Sequence, residues 1–220
     1  MLIAENILKH NLKNVFFLVG TACSGKTTMA LELAKKHGLT FVDERWQCDM
    51  WNSEIVDPKY QPNAAKRKEI DWEWYFSRSV EEFLSDKNDN HGNDEYLQFL
   101  FIELIKAAQN RRVITDIWIT DYDFLLEVSD RSRIACLLAP GELIVRDYYG
   151  REEHMAFTNC IKSLNEPDKK FAVQNELFKI GAHEEALKAK KYELFSIMRN
   201  EDSTVEKTLK ILEKHFGLSE

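Results

Sequence analysis

Short apolar runs alternate with stretches of helical spacing along this 220-residue chain. Val15-Phe16-Phe17-Leu18-Val19 is apolar without alternation, the mark of a strand buried on both faces. Residues 39–42, 112–119, 133–138 and 192–198 read as four further strands. Between them lie helices. Residues 27–37 place Met29, Leu31, Leu33 and Ala34 at apolar positions, and Gly38 stops the run as a left-handed cap. Residues 2–14 form a short amphipathic lead-in. From 66 to 86 the pattern predicts a helix burying Ile70, Trp74, Tyr75, Val80 and Phe83, with Ser79 and Glu82 as a capping box that restarts it. Residues 94–109 are apolar around most of the helix girth, so this helix crosses a sheet face. Helices follow at 121–129, from Pro140 to 149, at 151–164 after Gly150, and at 167–191. A capping box at Ser203 to Glu206 opens the last helix, and Gly217 closes it. Strands alternating with helices predict an α/β three-layer sandwich, with a five-stranded, mostly parallel sheet covered on both faces. Ligands of such sheets sit beyond the carboxyl ends of the strands.

Composition narrows the class. With 44% hydrophobic and 30% charged residues the chain is globular. No apolar run approaches the ~20 residues of a membrane helix, and residues 1–10 contain Glu5 and no signal cleavage site. A cytoplasmic protein with no membrane partner is expected. The net charge of −7 argues against a nucleic-acid polymer as partner. Cys23, Cys48, Cys136 and Cys160 show no paired spacing, which fits reduced thiols. Cys23 is either a small residue that fits its loop or a thiol whose pKa the loop's positive potential lowers.

The strongest chemical signal follows the first strand. Gly20, Gly25, Lys26 and Thr27 fit the phosphate-loop pattern G-x-x-x-x-G-K-[ST]. Backbone N–H groups from Gly20 through Thr21, Ala22, Cys23, Ser24 and Gly25 to Lys26, Thr27 and Thr28 curl around phosphate oxygens, and the two glycines supply bends a side chain would hinder. The next helix aims its positive end at the same anion. Lys26 reaches the β/γ-phosphates and the Thr27 hydroxyl serves Mg²⁺, so the motif points to a nucleotide with Mg²⁺ and leaves ATP against GTP open, with ATP the expectation. Asp116 ends an otherwise apolar strand, where a buried charge is costly unless Mg²⁺ or a bound hydroxyl faces it. Asp121 and Asp123 suit a helix start better than catalysis. His183-Glu184-Glu185 lacks the second histidine of a zinc site.

At these residues the chain resembles the P-loop small-molecule kinases: nucleoside, nucleotide, shikimate and gluconate kinases. The resemblance implies strand order 2-3-1-4-5, with the third strand beside the first and Asp116 therefore next to Lys26 and Thr27. It implies an acceptor-binding insertion at 46–92 and a lid at 146–190 within one domain, 1–220. Asp43, after the second strand, would orient an attacking hydroxyl or hold Mg²⁺ through water. Shikimate-type kinases carry a second Asp two residues on. Here Arg45 stands there and would bind an anionic acceptor. Trp46 could stack on a base or sugar, although large aromatics at helical spacing are usually core. Arg146 and Arg151 match lid arginines that neutralise the transferring phosphoryl, with Gly150 as hinge and His154 and Lys162 on the same lid helix. Residues 199–203 fall at the family's adenine-contacting loop.

Three readings compete. The first is a kinase moving the ATP γ-phosphoryl to a small-molecule acceptor, nucleosides and nucleotides included, as a monomer or homodimer. The second is a nucleotide-binding regulatory protein without such activity. The third, a motor-type ATPase, is disfavoured because no Glu follows Asp116 to polarise water.

Overall fold

The computed structural model describes residues 6–43, 56–66, 69–86 and 93–219. Its strands are β1 (Val15–Gly20), β2 (Thr40–Asp43), β3 (Val113–Asp116), β4 (Ile134–Leu138) and β5 (Phe195–Met198). Its α-helices are α1 (Ile7–Leu12), α2 (Lys26–His37), α3 (Pro62–Lys66), α4 (Trp72–Ser77), α5 (Val80–Ser85), α6 (Asn93–Ala108), α7 (Tyr122–Val128), α8 (Gly141–Asp147), α9 (Met155–Lys162), α10 (Pro167–Lys191) and α11 (Val205–Phe216). The sheet runs β2-β3-β1-β4-β5, and every pairing is parallel. The expected fold class and strand order are therefore both present.

Position in the sheet explains the apolar runs. β1 is central and wholly buried. Its side chains alternate between faces, as a pleated strand requires. Val15, Phe17 and Val19 pack with Tyr96, Leu100 and Leu104 of α6 and Leu125 of α7. Phe16 and Leu18 pack with Met29, Ala30 and Leu33 of α2 and Leu212 and Phe216 of α11. At about 1.5–3 kcal/mol per fully buried large side chain, β1 outweighs any surface ion pair on the molecule. Gly38 ends α2 in the left-handed region, its N–H donating to the Ala34 carbonyl.

Several expectations need correcting. Leu31, read as apolar-facing, is exposed on α2. The helix expected over 66–86 is interrupted. Asp71 caps α4, accepting from the Glu73 and Trp74 amides, and Arg78 then takes an extended conformation. The Ser79–Glu82 capping box is present and starts α5 afresh. Phe83 is buried as expected, but in α4 the buried ring is Phe76, and Trp74, two positions earlier, is 60% exposed. Residues 151–164 are not one helix: Arg151 is extended, Glu152–His154 is a 3₁₀ turn, and α9 begins at Met155. His154 thus precedes the helix that carries Lys162. The last helix is capped by Thr204 rather than Ser203, and its N3 residue is Lys207, so no box forms. β5 starts at Phe195, later than expected.

Two glycines separate steric need from mere freedom. Gly20 has φ +111°, and a Cβ there would lie 2.1 Å from the Leu137 carbonyl oxygen on β4. A Cβ on Gly150 meets nothing within 4 Å, and its φ is not in the left-handed region. Gly20→Ala is expected to destabilise by about 3 kcal/mol or more, because either β4 shifts or the loop bend opens. Gly150→Ala should stay within about 0.5 kcal/mol of the parent. Denaturant unfolding of both variants measures this; a mild Gly20→Ala would refute the close approach.

Candidate nucleotide site

The loop after β1 is held by hydrogen bonds to its neighbours and to itself. The Thr21 amide donates to the Leu137 carbonyl at 3.1 Å, and the Ala139 amide donates to Thr21 Oγ1 at 2.7 Å, tying the loop's start to the exit of β4. Ser24 Oγ and Lys26 Nζ both donate to the Thr21 carbonyl at 2.8 Å. Cys23 (φ 56°) and Gly25 (φ 95°) adopt left-handed conformations within the loop. Such alternation turns successive N–H groups toward one concavity. A Cβ on Gly25 would meet nothing within 4 Å, so the concavity is open there. α2 begins at Lys26 and points its N-terminus at the same space.

Parallel pairing brings the acids to this mouth. Asp116 is the last residue of β3, aligned with Leu18 of β1 on one side and Asp43 of β2 on the other. Asp116 is 2% exposed. Its Oδ2 accepts from Thr27 Oγ1. Its Oδ1 lies 3.9 Å from Lys26 Nζ and accepts no hydrogen bond. Burial pushes this carboxyl above the usual carboxylate range; Lys26 and then Thr27 pull it back, and Asp43 pushes it up further. The closeness of Asp116 to Lys26 and Thr27 that the resemblance implied is thus present.

These residues fit a magnesium nucleotide. Mg²⁺ prefers hard oxygen ligands, keeps several waters, and takes only one or two protein groups beside substrate phosphates. A hydroxyl and a buried carboxylate with an unfilled oxygen match that demand. Among the described residues no three His, Cys, Asp or Glu side chains gather as a metal cluster, and this mode of binding needs none.

The arginines are arranged differently from expectation. Arg146 is 62% exposed on its side chain and turns back on its neighbour, with Nε 2.7 Å and Nη2 3.2 Å from the Asp147 carboxylate. Arg151 pairs with Glu153 at 3.4 Å. The charges of Arg151, Arg199 and Lys26 all act on the Cys23 thiol, yet burial dominates and raises its pKa. The lowered thiol that the loop's potential suggested is therefore not found. His154 stacks on Tyr148 with ring centroids 3.7 Å apart, and burial lowers its pKa. Asp121 caps α7 and Asp123 accepts from the Tyr192 hydroxyl, so both are structural, as expected.

A cleft of about 140 Å³ opens beside the loop, lined by Ser24, Gly25, Thr28, Ile197, Arg199 and Ser203 among others. It lies where the adenine-contacting loop was expected. Arg199 opens that expected loop, but nothing in the sequence assigned its side chain a role: it lines this cleft and donates to the Cys23 carbonyl. Its one sequence signal is its place directly after a strand. Asp43 and Asp116 do not line this cleft. Arg45 and Trp46, the expected acceptor contacts, lie outside the described residues, as do Trp51 and Cys48. Trp72 stacks on Phe76 and Trp74 lies over Arg78, so both pack within the insertion.

The model of the isopentenyl transferase family matches residues 13–117, just under half of the chain. No curated protein sequence matches. Among solved structures, shikimate kinase from Acinetobacter baumannii in complex with shikimate is 15% identical, with 92% of this chain and 93% of that one covered and a TM-score of 0.44. Shikimate kinase from Bacteroides thetaiotaomicron is 16% identical over 93% and 98%, with a TM-score of 0.49. An unliganded sugar kinase from a Janibacter species is 15% identical over 94% and 96%, also at 0.49. The strand order and the glycine-bounded loop between central β1 and α2 give the chain a P-loop small-molecule kinase-like fold. Among the described residues no helix is long and apolar enough to cross a membrane.

The buried Asp116 charge is kept at a cost to the ligand-free protein. Because its pKa is raised on folding, ionisation opposes stability at neutral pH. Asp116→Asn is expected to stabilise the ligand-free protein by about 1 kcal/mol and to abolish the gain in nucleotide affinity on adding Mg²⁺. Thermal unfolding and binding titrations with and without Mg²⁺ measure both. A destabilised variant would refute the balance.

Proposed function

We propose that this protein is an ATP-dependent phosphotransferase that moves the γ-phosphoryl group to a small-molecule hydroxyl or phosphate, nucleosides and nucleotides included. One observation carries the reading: Lys26 and Thr27 of the loop meet the buried Asp116 carboxylate, with Asp43 in register beside it. The loop amides grip the phosphate tail, and Lys26 leaves the Thr21 carbonyl to neutralise charge developing on the transferred group. Thr27 and Asp116 would hold Mg²⁺, which neutralises phosphate charge when bound. Asp43 orients the attacking hydroxyl and accepts its proton. Arg151, and after it Arg146, close from the 146–190 lid, Arg146 exchanging Asp147 for a phosphate oxygen. The 46–92 insertion, with Arg45 and Trp46, would hold the acceptor.

A second reading follows from the isopentenyl transferase match, which spans the loop, Asp43 and Asp116 but ends before the lid. There the loop would hold the diphosphate leaving group of an isopentenyl donor, and Asp43 would deprotonate the acceptor. The two readings differ in product: ADP with a phosphorylated acceptor, or free diphosphate with an alkylated one.

The test is a screen of the purified protein with Mg-ATP against nucleosides, nucleotides, sugars and sugar acids, scored for ADP. Lys26→Ala should lower turnover by at least about 100-fold while the fold is retained. Full turnover by a folded Lys26→Ala protein would sink the mechanism. Tight nucleotide binding with no acceptor-dependent turnover would favour a regulatory protein.

A further inference from the structure

A phosphate loop works only if its peptide units face the right way. A trans peptide is planar, so its C=O and N–H point in opposite directions. Whatever holds a loop carbonyl outward therefore aims the next residue's N–H into the cradle. In the first half of the loop the Thr21 carbonyl is held by Ser24 Oγ and Lys26 Nζ. The Cys23 carbonyl is held by Arg199, 176 positions away in sequence. Cys23 is itself in the left-handed region, a conformation disfavoured for a residue with a side chain and in need of outside support.

Arg199 is well placed to give it. Its own backbone amide donates to the Leu138 carbonyl at 2.7 Å, which fixes it to the end of β4. Its Nη2 lies 3.7 Å from Asp147 Oδ2, and Asp147 is the last residue of α8, where the lid begins. The Arg146 hydrogen bond holds the Asp147 carboxyl below the usual range, with smaller pulls from the charges of Arg199 and Arg151. An exposed ion pair alone would contribute little. Here the same guanidinium also engages a loop carbonyl: its Nη1 donates to Cys23 while its Nη2 faces Asp147, two separate nitrogens held in one rigid plane.

We propose that Arg199 is a positioning residue of the phosphate loop: it fixes the Cys23–Ser24 peptide with its N–H facing the cradle and, through Asp147, ties that peptide to the start of the lid. The inference rests on reading residues 20–28 as a phosphate cradle. It adds a role for a residue of the β5 exit that neither the loop motif nor the lid pattern contains.

The test uses the full chain and inorganic tripolyphosphate with Mg²⁺ as the probe, because a probe without a base makes no contact in the neighbouring cleft. Arg199→Gln should bind it at least tenfold more weakly than the parent. Arg199→Lys should fall between, since its single nitrogen must serve both the Cys23 carbonyl and Asp147, where the guanidinium faces them with two. Amide hydrogen exchange is measured in parallel on the ligand-free proteins. Ser24 and Gly25 should exchange faster in Arg199→Gln, with β1 and β4 unchanged. Asp147→Asn, which keeps the guanidinium, should give a smaller rise at the same two amides and serves if Arg199→Gln does not fold. Weaker binding with unchanged loop exchange would mean direct phosphate contact and overturn the proposal, as would parental behaviour of Arg199→Gln or faster exchange throughout the sheet. Should the parent fail to bind tripolyphosphate, the cradle reading fails, and the ligand-free exchange still decides what Arg199 does.

Discussion

A carboxylate sealed from water at the end of β3, with one oxygen accepting no hydrogen bond, is the constraint around which this molecule is arranged. Burying such a charge is expensive unless cations and donors answer it. Lys26 and Thr27 answer it in part, and both belong to the first turn of α2. That contact exists only because β3 lies directly beside β1. Sheet order, loop and acid are thus one device. The apolar strands press the acid into place, and the residual electrostatic deficit leaves room for a cation.

The loop has a second dependence, on β4 and the segment after β5. Gly20 must be glycine because the Leu137 carbonyl occupies the space of a side chain. The Thr21 hydroxyl accepts from the amide of Ala139, and the Cys23 carbonyl accepts from Arg199. The Thr21 and Cys23 carbonyls are thus both satisfied by protein donors. Lys26 bonded to the Thr21 carbonyl is compatible with the same view: a flexible ammonium can leave that partner when phosphate offers a stronger one.

How much of this could be read from the residues depends on how local the physics is. β1, the loop and α2 were legible, since glycine spacing, a buried apolar run and a left-handed cap are local facts. The five strands were legible for the same reason. The closeness of Asp116 to Lys26 came only through resemblance, because periodicity cannot order strands within a sheet. Trp74 was misjudged because the helix expected over 66–86 is broken: Asp71 starts a short one whose buried ring is Phe76, and Ser79 starts the next. The helix expected over 151–164 was misjudged where Arg151 is extended ahead of a 3₁₀ turn, so it does not share a helix with Lys162. Cys23 was ambiguous because burial and nearby cations oppose each other, and only coordinates show that burial wins. The contact of Arg199 with Cys23 was not legible, since the partner carbonyl lies 176 positions away and no side-chain pattern marks a backbone acceptor.

The central claim is that the amides between Gly20 and Lys26, with Asp116 behind them, hold a triphosphate tail. Calorimetric titration of the full chain with Mg-ATP, Mg-GTP and adenosine tests it most directly. One saturable site for at least one triphosphate, with adenosine bound far more weakly, is the predicted result. No heat with either triphosphate, or adenosine bound as tightly as ATP, would contradict it.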